Sequence, residues 1–272
     1  MSEKDVRFSI DKLTILGKLK KKDYYFLLIE YAKYNINFIF KYIDNDFFSD
    51  SFVIKNLGFM QIDNATLKFR LEFNPNKLDE SSSNLLNQLL TYVEDYHFTR
   101  LDLAIDLFNY NLYDYKIVDL GRRKKAYYYD SVGKLETCYF GSLASNKFIR
   151  IYNKAVEQKL KDKELDWWRI ELQLRDNYID TYLTGLKDFL QDIIIFKYVS
   201  TETYDVYDKA VLEYILFDIH RLSEFSKNTR SKYKRIINGL KLESLDFINS
   251  FMQCSYENVI SYLKHLCPTV YI

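Results

Sequence analysis

The chain has 272 residues and a mass of 32.8 kDa, which allows one large domain or two modest ones. Hydrophobic residues make up 48% and charged residues 28%, with only two prolines and seven glycines, so the composition is that of a soluble globular protein without a disordered tail. A net charge of +1 excludes a whole-protein field that attracts nucleic acid, and any DNA contact must come from local patches.

Targeting signals and membrane spans are not expected, because the sequence has no leader pattern and no run of about 18 apolar residues. The three cysteines, Cys138, Cys254 and Cys267, are odd in number and lack the spacing of a metal site. They indicate reduced thiols in a cytoplasmic protein. With 25 tyrosines in the chain, no single tyrosine is informative on its own.

The first third of the chain mixes strand and helix patterns. It predicts a strand over 6–17, a helix over 23–34, a strand pair over 57–63 and 66–73, and an amphipathic helix over 79–95. The middle alternates apolar and polar residues and predicts strands over 98–108, 147–153 and 167–174, a hairpin of 124–130 with 135–141, and a short helix over 155–163.

After residue 176 the apolar residues recur at helical spacing. We expect helices over 177–192, 203–222, 229–242 and 255–266. The predicted fold is α+β: a mixed, largely antiparallel sheet with helices on one face, followed by a mostly helical C-terminal part. The change in pattern divides the chain at about residue 200, into residues 1–200 built on the sheet and residues 201–272 that are mostly helical.

Strand alternation predicts which side chains share a face of the sheet. If the three alternating strands are neighbours, one face carries carboxylates, a phenol, a guanidinium and an amide. These belong to Asp102, Asp106, Arg150, Tyr152, Glu171 and Gln173. Carboxylates that converge without His or Cys are hard oxygen ligands suited to Mg²⁺ or Mn²⁺. The alternative is an ordinary solvent-exposed face of the sheet, on which the charged side chains form hydrated ion pairs.

Four segments in the middle of the chain resemble the Rep_trans family, initiators of rolling-circle replication in plasmids of Gram-positive bacteria. They are Thr99–Asp106, Glu136–Ser142, Phe148–Lys154 and Trp167–Arg175, and they follow one another in the family's order. Each segment alone is a weak signal, whereas four in order are fairly specific.

The resemblance implies an activity and its residues. Family members nick one strand at the plasmid's double-strand origin through a tyrosine, which maps to Tyr152 and stays joined to the 5′ phosphate. The acidic positions map to Asp102, Glu171 and Asp106 as ligands of Mg²⁺ or Mn²⁺. Arg150 and Lys154 then contact the phosphate, one as a fork and the other as a point charge. Members act as homodimers and recruit a host helicase. The resemblance therefore implies a catalytic region over residues 1–200, and DNA recognition with dimerisation over residues 201–272.

Residues 227–241 hold six basic residues and no acidic one. On a helix, one stripe is apolar while the basic side chains project elsewhere, which suits phosphate contacts or a groove. The predicted DNA-binding residues are Lys227, Arg230, Lys232, Lys234 and Arg235. A solvated helix face is the alternative reading of the same segment.

The leading hypothesis is therefore a metal-dependent DNA nickase and strand transferase that initiates plasmid replication. The other hypothesis is a DNA-binding regulator of replication or transcription, without catalysis, that uses the 227–241 helix and leaves the sheet face inert. The chain has no paired histidines of the His-x-His type, which disfavours a metal bound by histidines. It also has no phosphate-binding loop of the ATPase type, so unwinding would need a partner.

Overall fold

A computed structural model describes residues 6–42, 47–121, 123–159, 166–184, 190, 192–197 and 204–266. For residues 114, 184, 197 and 241–254 it describes the backbone alone. Over this described part of the chain, no helix combines the length and hydrophobicity that a membrane span needs.

Twelve strands are described. They are β1 (Val6–Leu19), β2 (Phe38–Phe40), β3 (Asp50–Ile54), β4 (Gly58–Ile62), β5 (Lys68–Phe73), β6 (Val93–Phe108), β7 (Tyr115–Asp119), β8 (Lys125–Tyr129), β9 (Leu135–Phe140), β10 (Lys147–Asn153), β11 (Trp167–Arg175) and β12 (Ile193–Lys197). Ten of them form one sheet in the order β2-β3-β4-β5-β1-β6-β11-β10-β9-β8, and β12 pairs with β7 in a second sheet.

The described helices alternate with the strands at first and then dominate the C-terminal part. They are α1 (Lys22–Tyr34), α2 (Glu80–Thr91), α3 (Lys154–Glu157), α4 (Asn177–Thr184), α5 (Val206–Phe217) and α6 (Lys227–Leu266). A 3-10 turn over Ile219–Glu224 joins α5 to α6. Every strand pair whose register is described is antiparallel, so the predicted α+β class is confirmed.

Two compact units divide the chain, and each combines separate stretches of sequence. Unit 1 consists of Met1–Phe8, Ile105–Glu171 and Gly185–Glu257, and unit 2 of Ser9–Ala104, Leu172–Thr184 and Asn258–Ile272. The predicted division at residue 200 assigns functions to two regions of the sequence, whereas these units are defined by structural compactness. The functional division therefore stays a prediction.

Unit 2 contains β1 from Ser9 onward, the strands from β2 to β5, and the helices α1 and α2. Asp79 caps α2: its side chain accepts from the Ser82 backbone N–H at 2.7 Å, and the Ser82 hydroxyl accepts from the Asp79 N–H at 2.9 Å. This reciprocal pairing satisfies two otherwise unpaired donors and sets the start of the helix. The buried face of α2 then carries Leu86, Leu89 and Leu90 at helical spacing.

Unit 1 holds its own hydrophobic core beneath the C-terminal helices. Residues of β7 and β12 pack there against α5 and the first turns of α6, with Ile194, Ile215 and Tyr233 almost fully buried. The apolar stripe predicted on the basic helix is therefore confirmed, since Tyr233, Ile237 and Leu240 are all buried.

The structure differs from the sequence prediction mainly at short or continuous apolar runs. Strands β2, β3, β7 and β12 were not predicted, and the helix predicted over 79–95 ends at Thr91 because β6 already begins at Val93. The helices predicted over 229–242 and 255–266 are one continuous α6. Parts of the helices predicted over 155–163, 177–192 and 203–222 lie outside the described residues.

Candidate active site

Tyr152 lies near the end of β10, a strand whose two sides differ. Ile149 and Ile151 are fully buried on one side, while Arg150 and Tyr152 occupy the alternate positions. Asn153 ends the strand, because its side chain accepts from the Val156 N–H at 3.0 Å and so caps α3.

Glu171 of β11 accepts a short hydrogen bond from the Tyr152 hydroxyl. The Tyr152 Oη donates to Glu171 Oε1 at 2.5 Å, within the range of bonds between a hydroxyl and a charged carboxylate. Arg150 forms a fork on the other carboxylate oxygen, with Nε at 3.0 Å and Nη2 at 2.6 Å from Oε2. Glu171 thus holds both the phenol and the guanidinium in place.

Two cations flank the Tyr152 phenol. Arg150 Nη2 and Lys154 Nζ each lie 3.3 Å from the Tyr152 Oη, as hydrogen-bond donors. The Arg150 guanidinium also lies over the Tyr152 ring, 4.3 Å from its centroid. Lys154 is the first residue of α3, and it also pairs with Glu157. Both cations predicted to handle phosphate therefore meet the phenolic oxygen.

The environment of Tyr152 keeps its phenol protonated. The residue is only 3% exposed. Burial, and then the negative charge and the hydrogen bond of Glu171, raise the pKa of Tyr152 far above its ordinary value near 10, although Arg150 acts in the opposite direction. A phenolate therefore forms only if the proton moves to a base, and Glu171 is already in contact with it.

Asp106 is buried beneath a second arginine. Its Oδ1 accepts from Trp167 Nε1 and from Arg169 Nε, both at 2.7 Å, and its Oδ2 accepts from Arg169 Nη2 at 2.8 Å. Arg169 Nη1 in turn lies 3.9 Å from Glu171 Oε1. The sequence pattern placed Arg169 on the polar face but did not assign it, or Trp167, to the site.

Asp102, the third predicted ligand, belongs to unit 2 and is described there by itself. Arg100 forms a fork on its carboxylate, with Nε 2.8 Å from Oδ1 and Nη2 2.6 Å from Oδ2. Burial raises the pKa of Asp102, against the opposing effect of Arg100. Its predicted part in metal binding stays a prediction.

The donor set of the described site suits a divalent metal only in part. Among the described residues, no three His, Cys, Asp or Glu side chains cluster closely enough to hold an ion by themselves. Mg²⁺, however, is commonly held by one or two carboxylates together with substrate phosphate oxygens and water. Both oxygens of Glu171 already accept hydrogen bonds from Tyr152 and Arg150, and both oxygens of Asp106 accept them from Trp167 and Arg169. Either carboxylate would therefore bind an ion only by giving up a donor.

The five predicted DNA-binding residues fall into two groups at the start of α6. Arg230 donates to the carbonyls of Leu222, Ser223 and Phe225 at 3.1–3.2 Å and so ties α6 to the preceding turn. Lys232 contacts both carboxylate oxygens of Asp208 at 2.6 Å. These two cations have structural partners that the charge pattern alone did not reveal.

Lys227, Lys234 and Arg235 form the second group, and all three are exposed. Their i, i+7 and i+8 spacing places them on one face of α6, opposite the buried Tyr233 and Ile237. Their predicted part in DNA binding stays a prediction.

Comparisons with known proteins relate this chain to replication initiators. A "Replication initiation protein" from Staphylococcus aureus is 35% identical over 192 residues, which cover 68% of this chain and 60% of the relative. Another from the same species is 37% identical over 173 residues, which cover 62% of this chain and 54% of the relative. The chain thus spans about three fifths or less of the length of these curated relatives.

A rolling circle replication initiator protein from Geobacillus stearothermophilus is a solved structure with similarity to this one. It shares 18% sequence identity at a TM-score of 0.45, over 65% of this chain and 77% of that chain. The family model described as "Replication initiation factor" matches residues 96–235, just over half of the chain, and this stretch contains Tyr152, Arg150, Lys154 and Glu171. The chain therefore belongs to the Rep_trans family of replication initiation factors.

Proposed function

We propose that this chain initiates rolling-circle replication by nicking one strand of a plasmid's double-strand origin, with Tyr152 as the nucleophile. The observation that carries the proposal is the 2.5 Å hydrogen bond from the Tyr152 hydroxyl to Glu171, between Arg150 and Lys154. A nucleophile in contact with a base, which is itself oriented by a third group, is the arrangement that activates hydroxyls in covalent catalysis.

The proposed reaction begins with transfer of the Tyr152 proton to Glu171 as the phenolic oxygen attacks phosphorus. A bond forms between that oxygen and the phosphorus, and the bond from phosphorus to the 3′ oxygen breaks. The 3′ oxygen takes a proton from water and leaves as a free hydroxyl, while the 5′ phosphate stays on Tyr152. Reversal of the same steps by a 3′ hydroxyl rejoins the strand.

Arg150 and Lys154 offset the negative charge that develops during this exchange. Each lies 3.3 Å from the attacking oxygen and can reach the phosphate oxygens bound beside it. A bound Mg²⁺ or Mn²⁺ would supply further charge neutralisation at a phosphate oxygen, held by a carboxylate such as Asp106 once it gives up a hydrogen-bond donor. EDTA is expected to abolish nicking and added Mg²⁺ to restore it, whereas full activity in EDTA would remove the metal from the proposal.

Origin binding is assigned to the exposed basic face of α6, which consists of Lys227, Lys234 and Arg235. Arg230 and Lys232 support this face by fixing the helix through Leu222 and Asp208. We further propose that the protein acts as a homodimer and that a host helicase unwinds the nicked plasmid.

The decisive experiment compares Tyr152→Phe with the wild type on supercoiled plasmid carrying the cognate origin. Tyr25→Phe is the matched control, because the Tyr25 hydroxyl also donates to a carboxylate at 2.5 Å, that of Asp50, in unit 2. Tyr152→Phe is expected to lose both nicking and the covalent protein–DNA adduct, and Tyr25→Phe to keep both. An adduct formed by Tyr152→Phe would exclude Tyr152 as the nucleophile.

A second candidate is a regulator that binds DNA without cutting it, and the burial of Tyr152 is the observation that favours it. If this candidate is correct, the hydrogen bonds among Tyr152, Glu171 and Arg150 serve only to stabilise the sheet. Origin binding without any adduct from the wild-type protein would support this candidate.

A further inference from the structure

The face of the sheet that carries Tyr152 continues across two more strands to the edge at β8. In the β10–β9 register Tyr152 lies opposite Thr137 and Arg150 opposite Tyr139. In the β9–β8 register Thr137 lies opposite Tyr128. Two strand spacings of about 4.8 Å therefore separate the Tyr152 and Tyr128 backbones by about 10 Å.

Three aromatic side chains on this face form a contiguous strip, which we call the aromatic strip: Phe148, Tyr139 and Tyr128. The ring centroids of Tyr139 and Phe148 are 5.6 Å apart, and those of Tyr128 and Tyr139 are 5.4 Å apart. Tyr128 is 54% exposed although it is a large aromatic residue. Phe148 is buried, so the strip reaches solvent through Tyr128, whose exposed ring offers a face on which a flat ligand can stack.

A cavity of about 550 Å³ lies over the aromatic strip and ends at Arg150. Its wall includes the exposed Lys124 at the β8 end and the Arg150 guanidinium at the Tyr152 end. Gly141 also contributes to the wall at a φ of +101°, a backbone conformation that glycine adopts without strain. Flat rings between two cations match the chemistry of single-stranded nucleic acid, which presents bases for stacking and phosphates for ion pairing.

We infer that the aromatic strip binds unstacked bases of the single-stranded DNA next to the scissile phosphate. This inference rests on the proposed function, since the cavity adjoins the Arg150 that contacts Tyr152. Paired bases in a duplex already stack on one another, so the strip selects a strand that has been locally opened. Duplex DNA is assigned instead to the basic face of α6, whose exposed cations suit its phosphates.

The test measures binding of a fluorescein-labelled oligothymidine of about 12 nucleotides by anisotropy, with a duplex of equal length in parallel. Tyr128→Ala is expected to weaken single-strand binding by about 5- to 150-fold and to leave duplex binding unchanged, whereas Tyr128→Phe keeps the ring and the affinity. Tyr129→Ala is the matched control, because Tyr129 is 59% exposed on the next residue of β8 and lines a different cavity, with Tyr127.

Each outcome bears on the inference separately from nicking. Single-strand affinity of Tyr128→Ala equal to that of the wild type would overturn it, as would an equal loss in Tyr129→Ala or an equal loss on duplex DNA. If the wild type forms no adduct but Tyr128→Ala still loses single-strand binding selectively, the proposed function fails and the binding site stands. If the adduct forms and Tyr128→Ala binds normally, only the inference fails.

Discussion

Replacing Glu171 with Gln is the most direct perturbation of the proposed chemistry. The substitution keeps the size of the side chain but removes its negative charge and its ability to take the Tyr152 proton. Oε1 then no longer serves as a base at 2.5 Å from the phenol, and Oε2 no longer offsets the charge of Arg150 at 2.6 Å.

The expected loss follows from the role of a positioned base. General-base catalysis contributes about 10²- to 10⁴-fold in rate, so Glu171→Gln should slow adduct formation by about that factor, or roughly 3–5 kcal/mol of activation free energy. Loss of the Glu171 charge also removes one cause that raises the pKa of Tyr152. The pKa of Tyr152 should therefore fall in the variant, and its residual rate should increase with pH as the phenolate forms in solution.

The assay is single-turnover adduct formation on an origin oligonucleotide across a pH series, with melting temperature measured on the same preparations. Glu72→Gln is the control, because Glu72 is a similarly half-buried carboxylate between Lys12 at 2.8 Å and Arg70 at 2.9 Å, within unit 2. Glu72→Gln should cost stability without slowing the reaction. A Glu171→Gln rate within about threefold of the wild type at neutral pH would refute the assignment of Glu171 as the base.

Three further predictions concern stability and DNA binding. Asp106→Asn leaves the buried Arg169 without its counter-charge, so the free energy of unfolding in urea should fall by about 3–5 kcal/mol, and a loss below about 1 kcal/mol would contradict the pairing. Replacing Lys227, Lys234 and Arg235 together with Ala should make the salt dependence of DNA affinity shallower by about 2.7 in logarithmic slope, whereas Lys33→Ala leaves it unchanged. Burial is the main cause that raises the pKa values of Tyr25, Tyr127 and Tyr152 in the folded protein. As pH increases, their phenol protons therefore leave the unfolded chain at a lower pH than the folded protein. The melting temperature should therefore hold below about pH 10 and fall above it, and a rise in that range would contradict the sign.

The polar face of the sheet could be predicted because strand alternation has a strict period of two. Knowing that Ile149 and Ile151 point one way was enough to place Arg150 and Tyr152 on the other side. The same period placed Glu171 and Arg169 on one face of β11. It did not predict which carboxylate each arginine would pair with. The pairing of Arg150 with Glu171 and of Arg169 with Asp106 depends on distances between strands.

Strand β12 shows where periodicity fails. Its core, Ile193-Ile194-Ile195-Phe196, is a continuous apolar run, and such a run has no period by which a buried strand differs from the end of a helix. The basic helix shows a second limit. A charge pattern reports that Lys232 is cationic, but its partner Asp208 lies 24 residues earlier in the chain and is brought to it only by the packing of α5 on α6.

The protonated state of Tyr152 also bears on how long the proposed adduct lasts. Because the surroundings of Tyr152 oppose its ionisation, its phenol leaves the ester with the 5′ phosphate only if the oxygen takes up a proton as the bond breaks. By microscopic reversibility, release requires Glu171 to return the proton at the moment the phosphorus–oxygen bond breaks. The hydrogen bond that activates the nucleophile would then also determine the lifetime of the adduct, holding the cut end until a 3′ hydroxyl arrives to close the circle.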